Sequence, residues 1–125
     1  MKYGDIPIMP SGLRVKHVKK SHTIAYPRRD EADSHYLGRG PTVISCTITV
    51  VSFADLVALQ TMALSHTEAT LYVDKTAPNS HYYTRVVLEL GDEEKLGTAE
   101  VWRVPAVFTA LNPRLYSAAT HEVVY

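Results

Sequence analysis

The sequence predicts an α+β domain: an antiparallel β-sandwich or small barrel with one flanking α-helix. Three observations carry that reading. Residues 42–51, TVISCTITVV, alternate apolar and polar side chains with period two. Only one segment, FADLVALQTMAL at residues 53–64, repeats its apolar residues at helical spacing. The remainder breaks into strand-length runs separated by turn residues, the pattern of strands joined by hairpins. With 125 residues the chain suits a single domain spanning 1–125. A content of 46% hydrophobic and 21% charged residues supplies a core without disulfides.

Taken in order, residues 1–12, MKYGDIPIMPSG, contain Pro7, Pro10, Gly4 and Gly12 and read as an irregular N-terminal arm. LRVKHVKKSHTIAY alternates loosely, with Val15 on one side, Val18 on the other and basic residues between, so a strand exposed on one face is expected. Residues 27–41 have no apolar period and read as a long loop. The clearest strand follows, with Ile44, Cys46, Ile48 and Val50 on one face and Ser45, Thr47 and Thr49 on the other. Ser52, with Asp55 three residues on, reads as a shortened capping box. The helix it opens carries Phe53, Leu56, Val57, Gln60, Ala63 and Leu64 along one stripe. EATLYVDK is a short strand ended by the turn TAPNS. In YYTRVVLEL the alternation groups Tyr82, Thr84, Val86, Leu88 and Leu90, opposite Arg85 and Glu89. GDEEKLG reads as a hairpin loop. The next strand puts Trp102, Val104, Ala106, Phe108 and Ala110 on one face, with Pro105 opposite marking an edge or a bulge. NPR turns the chain, and HEVVY closes it as a short strand or an arm.

Several chemistries lack the residues they need. One cysteine allows neither an internal disulfide nor a Cys cluster for zinc. Cys46 shares a face with Ile44, Ile48 and Val50, a setting in which a free thiol behaves as a small hydrophobe. The six histidines show no His-x-His or HExxH spacing and read as ordinary surface histidines, with a metal or catalytic site assembled from them across strands as a third alternative. The carboxylates Glu89, Asp92, Glu93, Glu94 and Glu100 cluster near a solvated hairpin, which does not push pKa values apart as acid–base catalysis requires. GRGP at 38–41 precedes a strand rather than a helix and lacks the Lys-Ser/Thr of a phosphate-binding loop. No catalytic residue, cofactor or metal site is expected. The longest apolar-leaning run, 43–51, is interrupted by Ser45, Thr47 and Thr49 and falls well short of the ~20 residues of a membrane span. The first residues lack the apolar stretch of a signal peptide.

The formal charge is zero but unevenly placed. Residues 1–40 hold eight Lys/Arg against four acids, and residues 41–125 hold five against nine. A basic N-terminal face meeting an acidic face of the next copy would give head-to-tail rings or stacks. A second reading takes the basic strand Arg14, Lys16, His17, Lys19 and Lys20, near Tyr26 and Tyr36, as a single-stranded nucleic-acid site. Against it stands a pI near 7.0.

The strand led in by YLGRGPTVISCTITV, the short helix after it and the antiparallel run ending AEVWRVPAVFTALNPRLY resemble small tail and baseplate proteins of tailed bacteriophages, of the distal-tail or tail-tube-like kind. The resemblance covers roughly residues 36 to 116. It implies a non-enzymatic structural subunit that forms a homo-oligomeric ring or head-to-tail stack with other tail or baseplate proteins. Such a protein is made in the host cytoplasm and resides in the virion tail. It further implies that the 27–41 loop inserts into a neighbour. Gly38 and Gly40 would then supply backbone angles closed to other residues, and Arg39 would meet Asp92, Glu93 and Glu94 of the next subunit.

Overall fold

A computed structural model describes the backbone of residues 1–25 and 32–125 and the side chains of residues 1–19 and 39–125. Nine strands and one helix are present in it: β1 (Lys2–Tyr3), β2 (Ile6–Pro7), β3 (Met9–Ala25), β4 (Ala32–Val50), α1 (Phe53–Leu64), β5 (Ala69–Val73), β6 (His81–Leu90), β7 (Glu94–Lys95), β8 (Trp102–Ala110) and β9 (Leu115–Ser117). They form a single open antiparallel sheet in the order β2-β1-β5-β6-β8-β4-β3, with β7 added to β8 and β9 to β6. The expected class, an antiparallel sheet with one helix, is the observed one.

β4 is the spine. Its alternation places Ile44, Cys46, Ile48 and Val50 in the core. The same side of β8 supplies Trp102, Val104, Ala106, Phe108 and Ala110. The two strands pair without a bulge from Thr42–Ala110 to Val50–Trp102. β8 is flanked by β4 throughout, but on its other side β6 stops at Leu90–Ala106 and β7 begins at Glu94–Arg103. Pro105 falls in that gap, where its missing N–H costs no ladder bond. Its carbonyl accepts from Gly91 N at 2.8 Å. The proline thus marks a local edge, as expected.

Two expectations about faces are corrected. In β6 the buried residues are Tyr83, Val86 and Leu88, so Tyr82 and Thr84 do not share the face of Val86. The register against β5 shifts between Ala69–Val86 and Leu71–Tyr83. Arg85 sits there at φ 53°, inserting an extra residue that flips the strand's first half. On α1 the inward residues are Leu56 and Leu59, whereas Phe53, Val57 and Leu64 face outward. Ser52 makes no side-chain cap. Instead Phe53 N donates to Glu100 Oε1 at 2.7 Å, so a distant carboxylate does what the local capping box was expected to do.

The expected arm at 1–12 is integrated into the sheet. Tyr3 is fully buried and pairs with Leu71 of β5. Its hydroxyl donates to the Val86 carbonyl at 2.7 Å, with the Thr67 carbonyl at 3.1 Å, and its ring lies 5.3 Å from that of Phe108. β1 and β8 are separated by two strands in the sheet, which in a flat sheet is roughly 14 Å. Ring contact between them therefore requires the sheet to curl, enclosing the core with α1 against β6 and β4. Burial pushes the Tyr3 phenol up to about 12.

The expected loop at 27–41 is also corrected. Residues 32–41 belong to β4 and pair with β3 as far as Ala25–Ala32, while 27–31 lie outside the described residues. The pairing shifts register at Ser11/Arg14, His17/Lys19 and Lys20/Ser21. At the first shift Gly12 takes φ 65°, which a side chain resists. At the second, Val18 stands opposite Gly40 and Pro41. Gly40 does not use a left-handed angle, so its role is space: a Cβ there would lie 2.8 Å from Val18 Cγ1.

Gly40→Ala is expected to cost about 1–3 kcal/mol, because β-branched Val18 cannot swing away. Val18→Ala in the same chain should recover part of it in urea unfolding. Tyr3→Phe should lose about 1–3 kcal/mol by leaving a buried carbonyl short of its donor. A midpoint unchanged from the parent would show that the hydroxyl is dispensable.

Candidate assembly surface

The antiparallel register sorts the charged segments to opposite ends of the strands. At one end β4 finishes at Val50, β8 begins at Trp102 and β6 runs out at Leu90. The 91–97 segment turns back there, held by Gly91 N to Pro105 O at 2.8 Å and Leu96 N to Val101 O at 2.9 Å. Asp92, Glu93 and Glu94 are exposed on it. Glu93 Oε2 accepts from Gln60 Nε2 at 2.5 Å, tying the acidic turn to α1. With Glu100 at the start of α1, the acids here outnumber the exposed Lys95 and Arg103, and this end is acidic on balance.

The other end is basic. β4 leaves β8 at Thr42, and beyond the Lys19–Arg39 pair the ribbon is two strands wide among the described residues. Arg14, Lys16 and Lys19 are exposed on β3, which has no strand on its outer side. Lys20 pairs with Gly38 by backbone, and their side-chain surroundings lie outside the described residues. From Thr49, which neighbours the acidic turn through Arg103, to Arg39 is ten residues of β4, roughly 30 Å along the strand. The register therefore keeps Arg39 away from Asp92, Glu93 and Glu94 of its own chain.

Arg39 is not the tip of a loop. It is half-buried at the root of the ribbon, where its guanidinium donates to the Tyr125 main-chain oxygen and to the Pro113 carbonyl, each at 2.7 Å. Its Cζ also lies 4.7 Å from the centroid of the Tyr125 ring. A planar fork of donors suits two carbonyls at once, which a lysine could not match. His17 meets the same ring edge-on, with centroids 4.9 Å apart. The final residues are strapped down by Val124 N to Leu115 O at 2.7 Å and by a bridge between Tyr116 and Val123. They border a cleft of about 340 Å³ that also takes in His17, Lys75, His81 and Tyr83. Burial lowers the His17 pKa, and the neighbouring Arg39 and Lys75 cations lower it further. Reading along the chain did not find this cluster, because Arg39 and Tyr125 are 86 residues apart and nothing local in HEVVY signals a partner.

Other candidates resolve simply. Cys46 is buried, and burial pushes its thiol up to about 11, so it stays protonated at neutral pH. Among the described residues no three His, Cys, Asp or Glu side chains stand close enough to hold a metal. Lys2, Tyr72, Tyr82 and Tyr116 are direct cross-strand neighbours on the outer face of β1, β5, β6 and β9. The Tyr82 and Tyr116 rings stack at 5.3 Å and Lys2 Nζ sits 4.5 Å over Tyr72, so these rings pack against their neighbours. No helix among the described residues is long and apolar enough to cross a membrane. No protein-family model matches the chain, and no curated protein matches it.

A base whose folded pKa is depressed contributes stability that is complete above its unfolded value and lost as pH falls through the folded one. Acidification below the usual histidine range should therefore loosen the Tyr125 strap. An NMR titration should place the His17 midpoint below 6.5. Arg39→Gln should raise that midpoint by removing a cation and freeing Tyr125. A midpoint indifferent to Arg39 would sever the link between the two residues.

Proposed function

We propose that this protein is a non-enzymatic structural subunit that self-assembles head-to-tail into a ring or stack, in the setting of a phage-like tail or baseplate within the virion. The observation that carries the reading is the balance of surface charge along the strands: exposed Asp92, Glu93, Glu94 and Glu100 outnumber exposed Lys95 and Arg103 at one end, and exposed Lys16 and Lys19 stand toward the other, in a chain of zero net charge. Unlike ends attract and like ends repel, so the contact is heterologous and propagates.

Two further features support it. β3 presents a 17-residue outer edge with no strand against it among the described residues, and assembly commonly covers such edges. The ribbon beyond Lys19–Arg39 is two strands wide, an arrangement marginally stable in water unless it packs on something. Lys16 and Lys19 keep identical edges apart, leaving an acidic surface as their fitting counterpart. Arg39 belongs to the root of the ribbon, holding it to Pro113 and Tyr125, and the outward cations Arg14, Lys16 and Lys19 make the contact. The alternative, single-stranded nucleic acid on residues 14–20, has the cations it needs. Of the aromatic rings that share a cleft with His17, Tyr83 is buried and Tyr125 is already occupied by His17 and Arg39.

Native mass measured over a range of concentrations and ionic strengths tests the reading. Association should grow with concentration and weaken with salt. Reversing Lys16 and Lys19 to Glu, or Glu93 and Glu94 to Lys, should each weaken it about tenfold. Combining all four reversals should restore part of the loss. A monomer at every concentration, together with salt-sensitive oligonucleotide binding, would replace this reading with the nucleic-acid one.

A further inference from the structure

The helical spacing predicts one apolar stripe on α1, and the fold divides it between an inward and an outward side. Leu56 and Leu59 take the inward side. Phe53, Val57 and Leu64, four and seven residues apart and so close to one line on the helix, remain 55%, 42% and 86% exposed. Beside this stripe runs a groove of about 570 Å³ between the last turns of α1 and the end of β6. Ala63, Leu64 and Leu90 give it apolar walls, and Glu89 stands on its border with Glu93 held nearby by Gln60.

Single exposed leucines are ordinary, but a stripe continuous with a groove and rimmed by carboxylates describes the side chains that would fill it. They are apolar, and they sit among cations. An identical face of a second copy is unsuited, because it would bring Glu89 and Glu93 against their own counterparts. The chain carries the complementary surface at its opposite pole. There Leu111, Val123 and Val124 are exposed, with Arg114 and Lys75 exposed on the adjoining turns and Asp74 and Glu122 the exposed acids beside them. Because groove and plug lie at opposite ends of the same strand axis, one head-to-tail placement brings both the apolar and the charged surfaces together.

We propose that the groove between α1 and the end of β6 is a socket for the apolar pole of the next copy, with Val123 and Val124 entering beside Leu64 and Leu111 covering the stripe. The proposal rests on the head-to-tail reading and adds the residues that give the contact its affinity. Charge alone between exposed groups contributes little, whereas burying several aliphatic side chains contributes substantially more.

The test is photo-crosslinking on an equal mixture of ¹⁵N-labelled and unlabelled chains, with benzoylphenylalanine replacing Leu64. The site is exposed enough to leave the fold alone. Mixed-isotope crosslinks from position 64 to residues 111–125 are expected. In parallel, Leu64→Lys and Val124→Asp should each weaken association about tenfold or more. Assembly that persists with crosslinks elsewhere, or with both variants associating as tightly as the parent, would overturn the socket and leave head-to-tail assembly standing. Absence of association at any concentration and salt would overturn both together.

Discussion

Everything in this structure is referred to the register between β4 and β8. Side chains alternate across a strand, so a slip of one residue would carry Ile44, Cys46, Ile48 and Val50 from the core to the opposite face. Trp102, Val104, Ala106, Phe108 and Ala110 would lose their partners in the same step. The two strands run together for nine pairs without a bulge, the longest regular ladder in the sheet. Irregularity is confined to their other neighbours. β3 shifts three times against β4, and β6 carries a bulge at Arg85 against β5. A fixed centre thus permits adjustable margins, and those margins carry the exposed charge.

The second constraint is closure of the core from the N-terminal side. An open sheet has an inner face that must be covered, and one 12-residue helix resting on Leu56 and Leu59 covers only part of it. Curling the sheet brings Tyr3 over Phe108 and covers more. The tyrosine hydroxyl is affordable there because the Val86 carbonyl accepts its proton, next to the bulge where the ladder is irregular. The bulge therefore serves two ends: it turns Tyr83 inward and stands beside the carbonyl that satisfies Tyr3.

Polarity of the surface follows from these constraints rather than from any local motif. Antiparallel pairing to β8 on both sides sends β4 and β6 in the same direction, each opposite to β8. The acidic turn after β6 consequently emerges where β4 ends, and the basic ribbon leaves where β4 enters the sheet. Arg39 holds the root of that ribbon through carbonyls of two other segments, which fixes where the ribbon departs. The proposed socket lies at the acidic end because α1 leaves β4 there and packs back toward the end of β6.

By itself the sequence determined the fold class, the core faces of β4 and β8, the position of the single helix and the turns, because period-two and helical spacings are local and burial of their apolar side chains is obligatory. It also determined the unequal charge of the two halves. Where a local rule had a competitor, the tertiary structure decided. The Ser52 cap yielded to Glu100, a carboxylate from the turn between β7 and β8. The helical stripe was too broad for one face, and the sheet could accommodate only Leu56 and Leu59 with Met62 and Ala63 alongside. Thr84 and Arg85 look like ordinary strand residues, and only the demand to bury both Tyr83 and Val86 makes a bulge of them. Residues 32–41 lack an apolar period because β4 leaves β8 at Thr42, and main-chain pairing with β3 by itself sets no side-chain pattern. The roles of Gly40 and Arg39 were equally out of reach, since Gly40 answers to Val18 across the ribbon and Arg39 to Pro113 and Tyr125. Those contacts are set by packing between segments far apart in the chain, and residue type along a single stretch carries no record of them.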